Sequence, residues 1–226
     1  MPPYRILLGV NNALGDKEGE YRVIKTALEL FPESFLICAQ YMWAITPRWG
    51  GSYEQMEEFS QQAEAYYDMN PELTVLCGFI YSDQANRLRR NEKYQQASKL
   101  YAEAIAYGDN FEFYHERAEL YHYYLDKPDK ALADFEKSID HNPRHFESYR
   151  MIDDTLLQTK EWDRIISYWN AFLELEPEHA EAYLERSGTY YHKGDFTRSL
   201  EDLKQACDFG SKEGCKRYKQ YRDKWK

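Results

Sequence analysis

The side chains of this chain that could do acid–base or metal chemistry are six histidines, four cysteines and 39 carboxylates set against 29 lysines and arginines. His115 and His122 lie seven apart, which places them on one face of a helix, and His141 and His145 flank a turn. Neither spacing gives an HExxH pair or a Cys/His quartet, so no metal site is expected. No GxSxG string ties a serine to a histidine and a carboxylate. Carboxylate pairs such as Asp153-Asp154 and Glu57-Glu58 sit in segments that are acidic throughout and single out no general acid or base. A hydrolase or transferase built on His115, His122 and nearby carboxylates is therefore the weakest functional reading. No catalytic residue and no cofactor is assigned.

Composition narrows the remaining classes. A formal net charge of −10 argues against nucleic acid, whose phosphates need a basic surface. The longest apolar run, around Ile6-Leu7-Leu8, is far short of the roughly 20 residues that cross a bilayer, so no membrane span is expected. The stretch Met1-Pro2-Pro3-Tyr4-Arg5 carries no basic region followed by sustained apolar sequence, so no secretory signal is visible. That favours the cytoplasm, with the periplasm open if a signal has been removed. Tyrosine is over-represented, 21 of 226 residues, and suits thin helical layers in which a ring packs while its hydroxyl reaches water.

The elements that would position these residues repeat. Tyr114-His-Glu-Arg117-Ala118-Glu-Leu-Tyr121 aligns with Tyr183-Leu-Glu-Arg186-Ser187-Gly-Thr-Tyr190. Each runs through a short turn into a second amphipathic segment, Ala131-Leu132-Ala-Asp134-Phe135-Glu-Lys-Ser138 or Ser199-Leu200-Glu-Asp202-Leu203-Lys-Gln-Ala206. Prolines at 32, 71, 143 and 177 punctuate the pattern where a helix begins, since the first helical N–H has no intrahelical partner to lose. This pattern resembles the tetratricopeptide repeat, a helix-turn-helix of about 34 residues. Tyr183, Ser187, Tyr190, Gly194-Asp195, Ser199, Leu203 and Ala206 match its signature positions, as do Tyr81, Ala85, Leu88, Ala97, Tyr101 and Ala104. The repeat with Tyr149, Ile152, Trp162, Trp169, Phe172 and Pro177 is a noisier copy.

The resemblance implies an all-α, right-handed α-solenoid of about six helix pairs and a capping helix, in one domain over 1–226. The pairs are placed at about 3–14/17–31, 33–45/53–70, 72–90/93–107, 110–125/128–141, 144–159/161–175 and 178–193/195–208. The charged segment 211–224 closes the array, covering the last repeat with a polar outer face. Residues 1–70 are the divergent part and 72–208 the regular one.

Within the second pair the turn swells to Thr46-Pro47-Arg48-Trp49-Gly50-Gly51-Ser52, and Ser52 with Gln55 has the form of a capping box. This string resembles one found in a bacterial family of tetratricopeptide-like domains of unknown function. Two readings of the loop stand. Trp49 packs on the second repeat while Arg48 stacks or pairs, or Arg48, Trp49, Gly50 and Gly51 contact a ligand.

In the expected register the first helix of each pair lines a concave groove. Arg5, Asn12, Tyr41, Asn86, Arg89, His115, His122, Arg150 and Tyr191 then face a protein or peptide partner, or else form an ordinary solvated face. A subset of the family grips C-terminal carboxylates with Lys and Asn at fixed positions. Asn86 sits at one such position, but the other repeats offer Gly9, Tyr41, Glu119 and Asp154, so this specificity is not expected. The basic run 86–93 suits a helix C-terminus, or an acidic partner. The function implied is a non-enzymatic binding scaffold. The alternative is the recognition part of a larger protein whose effector portion is absent. Oligomeric state is left open.

Cys38 and Cys77 lie in apolar helical stretches and read as small buried hydrophobes. The C-x7-C spacing of Cys207 and Cys215 resembles the related Sel1-like repeats, some of which bridge these cysteines in oxidising compartments. Protein purified under thiol-trapping conditions should therefore be lighter by two hydrogens than its reduced form; identical masses would end the idea of a bridge.

Overall fold

The structure, a computed structural model, describes residues 17–222 and Lys224. The expected helix 3–14, with Arg5 and Asn12, lies outside the described residues. Among those described are twelve α-helices and no strand. The chain divides into two compact units, Met1–Phe113 and Tyr114–Lys226.

The first unit holds α1 (Lys17–Leu30), α2 (Phe35–Ala44), α3 (Tyr53–Ala63), α4 (Leu76–Arg90), α5 (Tyr94–Ala106) and the start of α6 (Phe111–Tyr123). Two boundaries differ from the periodicity. The helix expected over 53–70 ends at Ala63 and tightens into a 3-10 turn at Glu64–Tyr66, while α4 is preceded by a 3-10 turn at Pro71–Val75. The reason lies at Asn70. Its side-chain oxygen accepts the Glu72 N–H at 3.1 Å and its amide donates to the Glu33 carbonyl at 2.9 Å. That residue thus stops one helix, starts the next and ties two connections together. Met42, Met56, Leu73, Leu76, Phe79 and Phe113 form the core of this unit. Gly78 admits α5 and the Phe113 ring: a Cβ there would sit 2.7 Å from the Ala104 carbonyl and 2.6 Å from Phe113 Cε2.

The second unit runs from the rest of α6 through α7 (Pro128–His141), α8 (Phe146–Leu157), α9 (Trp162–Leu175), α10 (Ala180–Lys193), α11 (Phe196–Asp208) and α12 (Lys212–Tyr221). From α7 onward each helix packs on the next. Phe135, Tyr149, Ile152, Trp169 and Phe172 fill its core.

The aligned repeat strings acquire a physical meaning here. In α6 the Arg117 guanidinium forks the Asp134 carboxylate of α7 at 2.7 and 2.8 Å, and lies 5.9 Å from the ring centroids of both Tyr114 and Tyr121. In α10 Arg186 forks Asp202 of α11 at 2.8 and 2.7 Å between Tyr183, at 5.4 Å, and Tyr190, at 5.9 Å. Tyr-x-x-Arg-x-x-x-Tyr is therefore a lock. The planar cation is held by two π-faces and satisfied by two carboxylate oxygens, which offsets the cost of burying both charges. Two other pairs use different chemistry at the same junction. Tyr101 of α5 donates to Asn86 Oδ1 at 2.9 Å, and Trp169 of α9 donates to Asp153 Oδ2 at 2.6 Å.

At the end of the chain, Gly210 turns the backbone with φ 97° and Ser211 caps α12 by accepting the Gly214 N–H. A Cβ on Gly214 would meet Ala206 Cβ at 2.7 Å, so glycine lets α12 close on α11. Cys207 and Cys215 are joined across this corner with their Cα atoms 4.4 Å apart.

Replacing Asp134 by Ala should cost about 3 kcal/mol in urea unfolding, because it strands a largely buried arginine. Replacing Asp140, whose pairing with Lys137 is more than half exposed on both sides, should cost less than about 0.5 kcal/mol. Equal costs would show that the Tyr–Arg–Tyr lock is not what joins the pair.

Candidate ligand cavity

A cavity of about 260 Å³ opens in the second unit. Helical spacing builds it. Arg150, Asp153, Asp154 and Leu157 recur at three- and four-residue steps along α8, and Leu184, Glu185, Gly188, Thr189 and His192 do the same on α10. Arg217 of α12 completes the wall. Both α8 and α10 are first helices of their pairs. Gly188 keeps the volume open, since a Cβ built there would meet no atom within 4 Å.

The electrostatics are uneven. Asp153 is only 9% exposed, although it sits among the buried positions Tyr149, Ile152 and Leu156. Its Oδ2 accepts from Trp169 Nε1 at 2.6 Å and from Thr189 Oγ1 at 3.4 Å. Burial raises its carboxyl pKa to about 6, with the Asp154 charge adding to the rise and these two donors opposing it. Burial and the charges of Asp153 and Asp154 likewise raise Glu185, against the pull of Arg150 and Arg217. Those arginines are engaged elsewhere. Arg150 lies 2.8 Å from Glu147 and 3.7 Å from Asp154, and Arg217 lies 2.8 Å from Glu213. Nothing here pairs a hydroxyl with an imidazole; the Thr189 hydroxyl is spent on Asp153 and on the Glu185 carbonyl. The arrangement can bind and discriminate by charge.

Of the described groove residues read from sequence, Arg150 lines this cavity, while Tyr41, Asn86, Arg89, His115, His122 and Tyr191 are not among its lining residues. Asn86 is buried at 6% exposure, its amide oxygen held by Tyr101, because the register turns it into its own helix pair. Tyr41 bonds to Tyr21 and packs edge-on against Phe59 at 4.6 Å. It thereby lines a separate cavity of about 470 Å³ with Lys25, Leu28 and Tyr66. Arg89 is half-buried near the end of α4. Tyr191 is 48% exposed and meets His192 and Phe196.

His115 and His122 mate α6 to α8. His115 Nδ1 lies 2.9 Å from Ser148 Oγ and His122 Nδ1 lies 3.1 Å from Thr155 Oγ1, so the seven-residue step on one helix matches that on the other. His145 bonds to the same Ser148 hydroxyl at 2.8 Å, its ring edge-on to His115 at 4.7 Å.

In the 46–52 loop Gly50 takes φ 96°, and a Cβ on Gly51 would fall 2.0 Å from the Ile45 carbonyl oxygen. The turn folds back hard on α2 and requires both glycines. Trp49 is 49% exposed, with the Arg48 guanidinium 4.9 Å from its ring. Ser52 caps α3 by accepting the Gln55 N–H at 3.2 Å, the first half of the expected box. Cys38 is buried, as its apolar setting implies, and Cys77 is half-buried.

Sequence reasoning missed Asp153, Glu185, Gly188, Thr189, His192 and Arg217. Two signals were present: a carboxylate in the apolar stripe of α8, and a glycine in the middle of α10.

Burial and the neighbouring His115 lower the His145 pKa from 6.5 to about 4, against the weaker opposing pull of Glu147 and Glu119. The unfolded chain therefore takes up this proton first, and its contribution to stability is lost as pH falls from about 6.5 toward 4. Replacing His145 by Gln should flatten that part of the pH–stability curve; an unchanged slope in this window would refute the assignment.

Comparison with known proteins gives the fold a name. Residues 154–213 match the tetratricopeptide repeat family, and residues 3–65 match the Domain of unknown function (DUF4034), a stretch that includes the Arg48-Trp49 turn. No curated protein matches the chain. Among solved structures, YrrB, described as a TPR protein with an unusual peptide-binding site, is similar with a TM-score of 0.50 and 22% identity. That match covers 84% of this chain and 93% of YrrB. A MamA structure labelled AMB-1 also has a TM-score of 0.50, at 16% identity, covering 76% of this chain and 86% of MamA. Residues 154–213 thus match the tetratricopeptide repeat, and the described residues have an all-helical fold of the tetratricopeptide type.

Proposed function

We propose that this chain is a non-catalytic scaffold that binds a protein or peptide partner, and that the cavity between α8 and α10 is where part of the partner seats. The observation that carries this reading is the cavity itself, a recess on two consecutive first helices kept open by Gly188. Such a recess accepts a side chain, while the adjoining helix faces offer room for the backbone that carries it. Arg150 and Leu184 supply a polar and an apolar rim, and the exposed Tyr191 lies one turn beyond on α10. The similarity to YrrB supports the reading, because that protein carries a peptide-binding site on the same type of fold. In the other unit, Trp49 under the Arg48 guanidinium has the composition of a binding anchor.

Gly188→Leu is the decisive variant. It fills the recess without touching the core, and leucine favours the helix over glycine by up to about 1 kcal/mol. The melting temperature should hold or rise, while partners recovered by the wild-type chain from native extract, identified by cross-linking and mass spectrometry, should be lost. Retention of the same partners by this variant would remove the cavity from the function.

A further inference from the structure

We infer that the side chain seated in this cavity is basic, a lysine or an arginine, held between the free oxygen of Asp153 and the carboxylate of Glu185. This rests on the scaffold reading of the same cavity and names the chemistry of what it receives.

Two carboxylates of the cavity have hydrogen-bonding capacity that the described residues do not fill. Asp153 is nine-tenths buried, and both of its hydrogen bonds arrive on Oδ2. Oδ1 receives none, and it is not among the described side-chain atoms that are both sealed from solvent and unpartnered. A partnerless oxygen on a buried, cavity-lining residue that still reaches solvent opens on the cavity. The Glu185 carboxylate, half-buried one helix away, receives no hydrogen bond and forms no ion pair among the described residues. Two carboxylates that open on one recess, the first with little hydration left to it, are set for a cation that brings several N–H groups.

The cavity's own cations do not answer this demand. Arg150 is held by Glu147 and Asp154, and Arg217 by Glu213. His192 stacks on Trp162 with ring centroids 5.8 Å apart. An acidic or phosphorylated partner residue would meet Asp153, Asp154 and Glu185 head on. An uncharged residue could donate a hydrogen bond but would leave the charge of both carboxylates uncompensated. An alkylammonium or guanidinium group supplies the missing donors, and its aliphatic stem lies against Leu157 and Leu184.

Binding should also be linked to pH. The groups facing Asp153 are Arg150 and Asp154 on its own helix, Trp169 on α9, Glu185, Thr189 and His192 on α10, and Arg217 on α12. Burial and Asp154 hold the Asp153 carboxyl near 6, and a bound cation favours its ionised form. Binding therefore weakens as pH falls through that value, and at lower pH it is accompanied by proton release.

The test uses the full chain labelled with nitrogen-15 and two probes, agmatine and n-butylammonium, with n-butanol as the uncharged control. The signals followed are the Gly188 and Thr189 amides and the Trp169 indole N–H. At about pH 7.5 both cations should give saturable shifts and butanol none. Glu185→Gln, and separately a drop to about pH 5, should each weaken binding roughly tenfold, the worth of one charge-assisted contact. Glu201→Gln, on the exposed face of α11, should change nothing. Asp153→Asn should act like Glu185→Gln; if it lowers the melting temperature, Glu185→Gln decides alone. Equal shifts from butanol, no saturable shift from the cations, or indifference to Glu185→Gln overturns the inference. A partner that depends on an open cavity while the cations fail to bind sinks this inference and leaves the scaffold intact. Cation binding here with partners unaffected by Gly188→Leu does the reverse.

Discussion

The structure depends on a guanidinium held between two tyrosine rings and forked onto a carboxylate of the neighbouring helix. Helices of 10 to 15 residues are too short to be stable alone, so something specific must fix each first helix against its second. Arg117–Asp134 and Arg186–Asp202 do so with paired hydrogen bonds. Dispersion alone would allow the helices to slide; a fork has one register. The tyrosines make the burial of charge tolerable, which accounts for part of the tyrosine excess in so small a chain.

The cavity arises where that rule is broken. In the pair formed by α8 and α9 the acid is on the first helix and its partner is an indole N–H on the second, so the polarity of the junction is reversed and no arginine comes with it. Asp153 is therefore buried without a counter-charge. The adjacent α10 adds Glu185 instead of relief. A site of this kind follows from a single exchange at a structural junction, with no new loop or insertion.

Most of the fold was legible because it is periodic. The Tyr-x-x-Arg-x-x-x-Tyr strings, the prolines and the small residues at close approaches place the helices of the second unit to within a few residues. The boundaries that moved are those set by hydrogen bonds between distant connections, such as Asn70 to Glu33, which no local pattern contains. The site was less legible. Facing a groove is a question of rotation about the helix axis, and a shift of one residue turns a side chain by about 100°. That turns Asn86 into its own pair, while Tyr41 is spent between α1 and α3 and the two histidines between α6 and α8. Arg150 stayed on the cavity. Asp153 was visible in the sequence, but as one acid among many; only the packing shows that it is the buried one.

Gly188 has a consequence for how such a chain is selected. A glycine in the interior of an α-helix gives up about 1 kcal/mol relative to alanine. Nothing crowds this one, so neither close packing nor backbone strain demands it. Selection for stability alone would replace it within a few mutational steps, and the hollow beside it would silt up. An empty volume in a helical array is in this sense a maintained quantity, and its persistence across descendants of this chain would record use more directly than the preservation of any core residue.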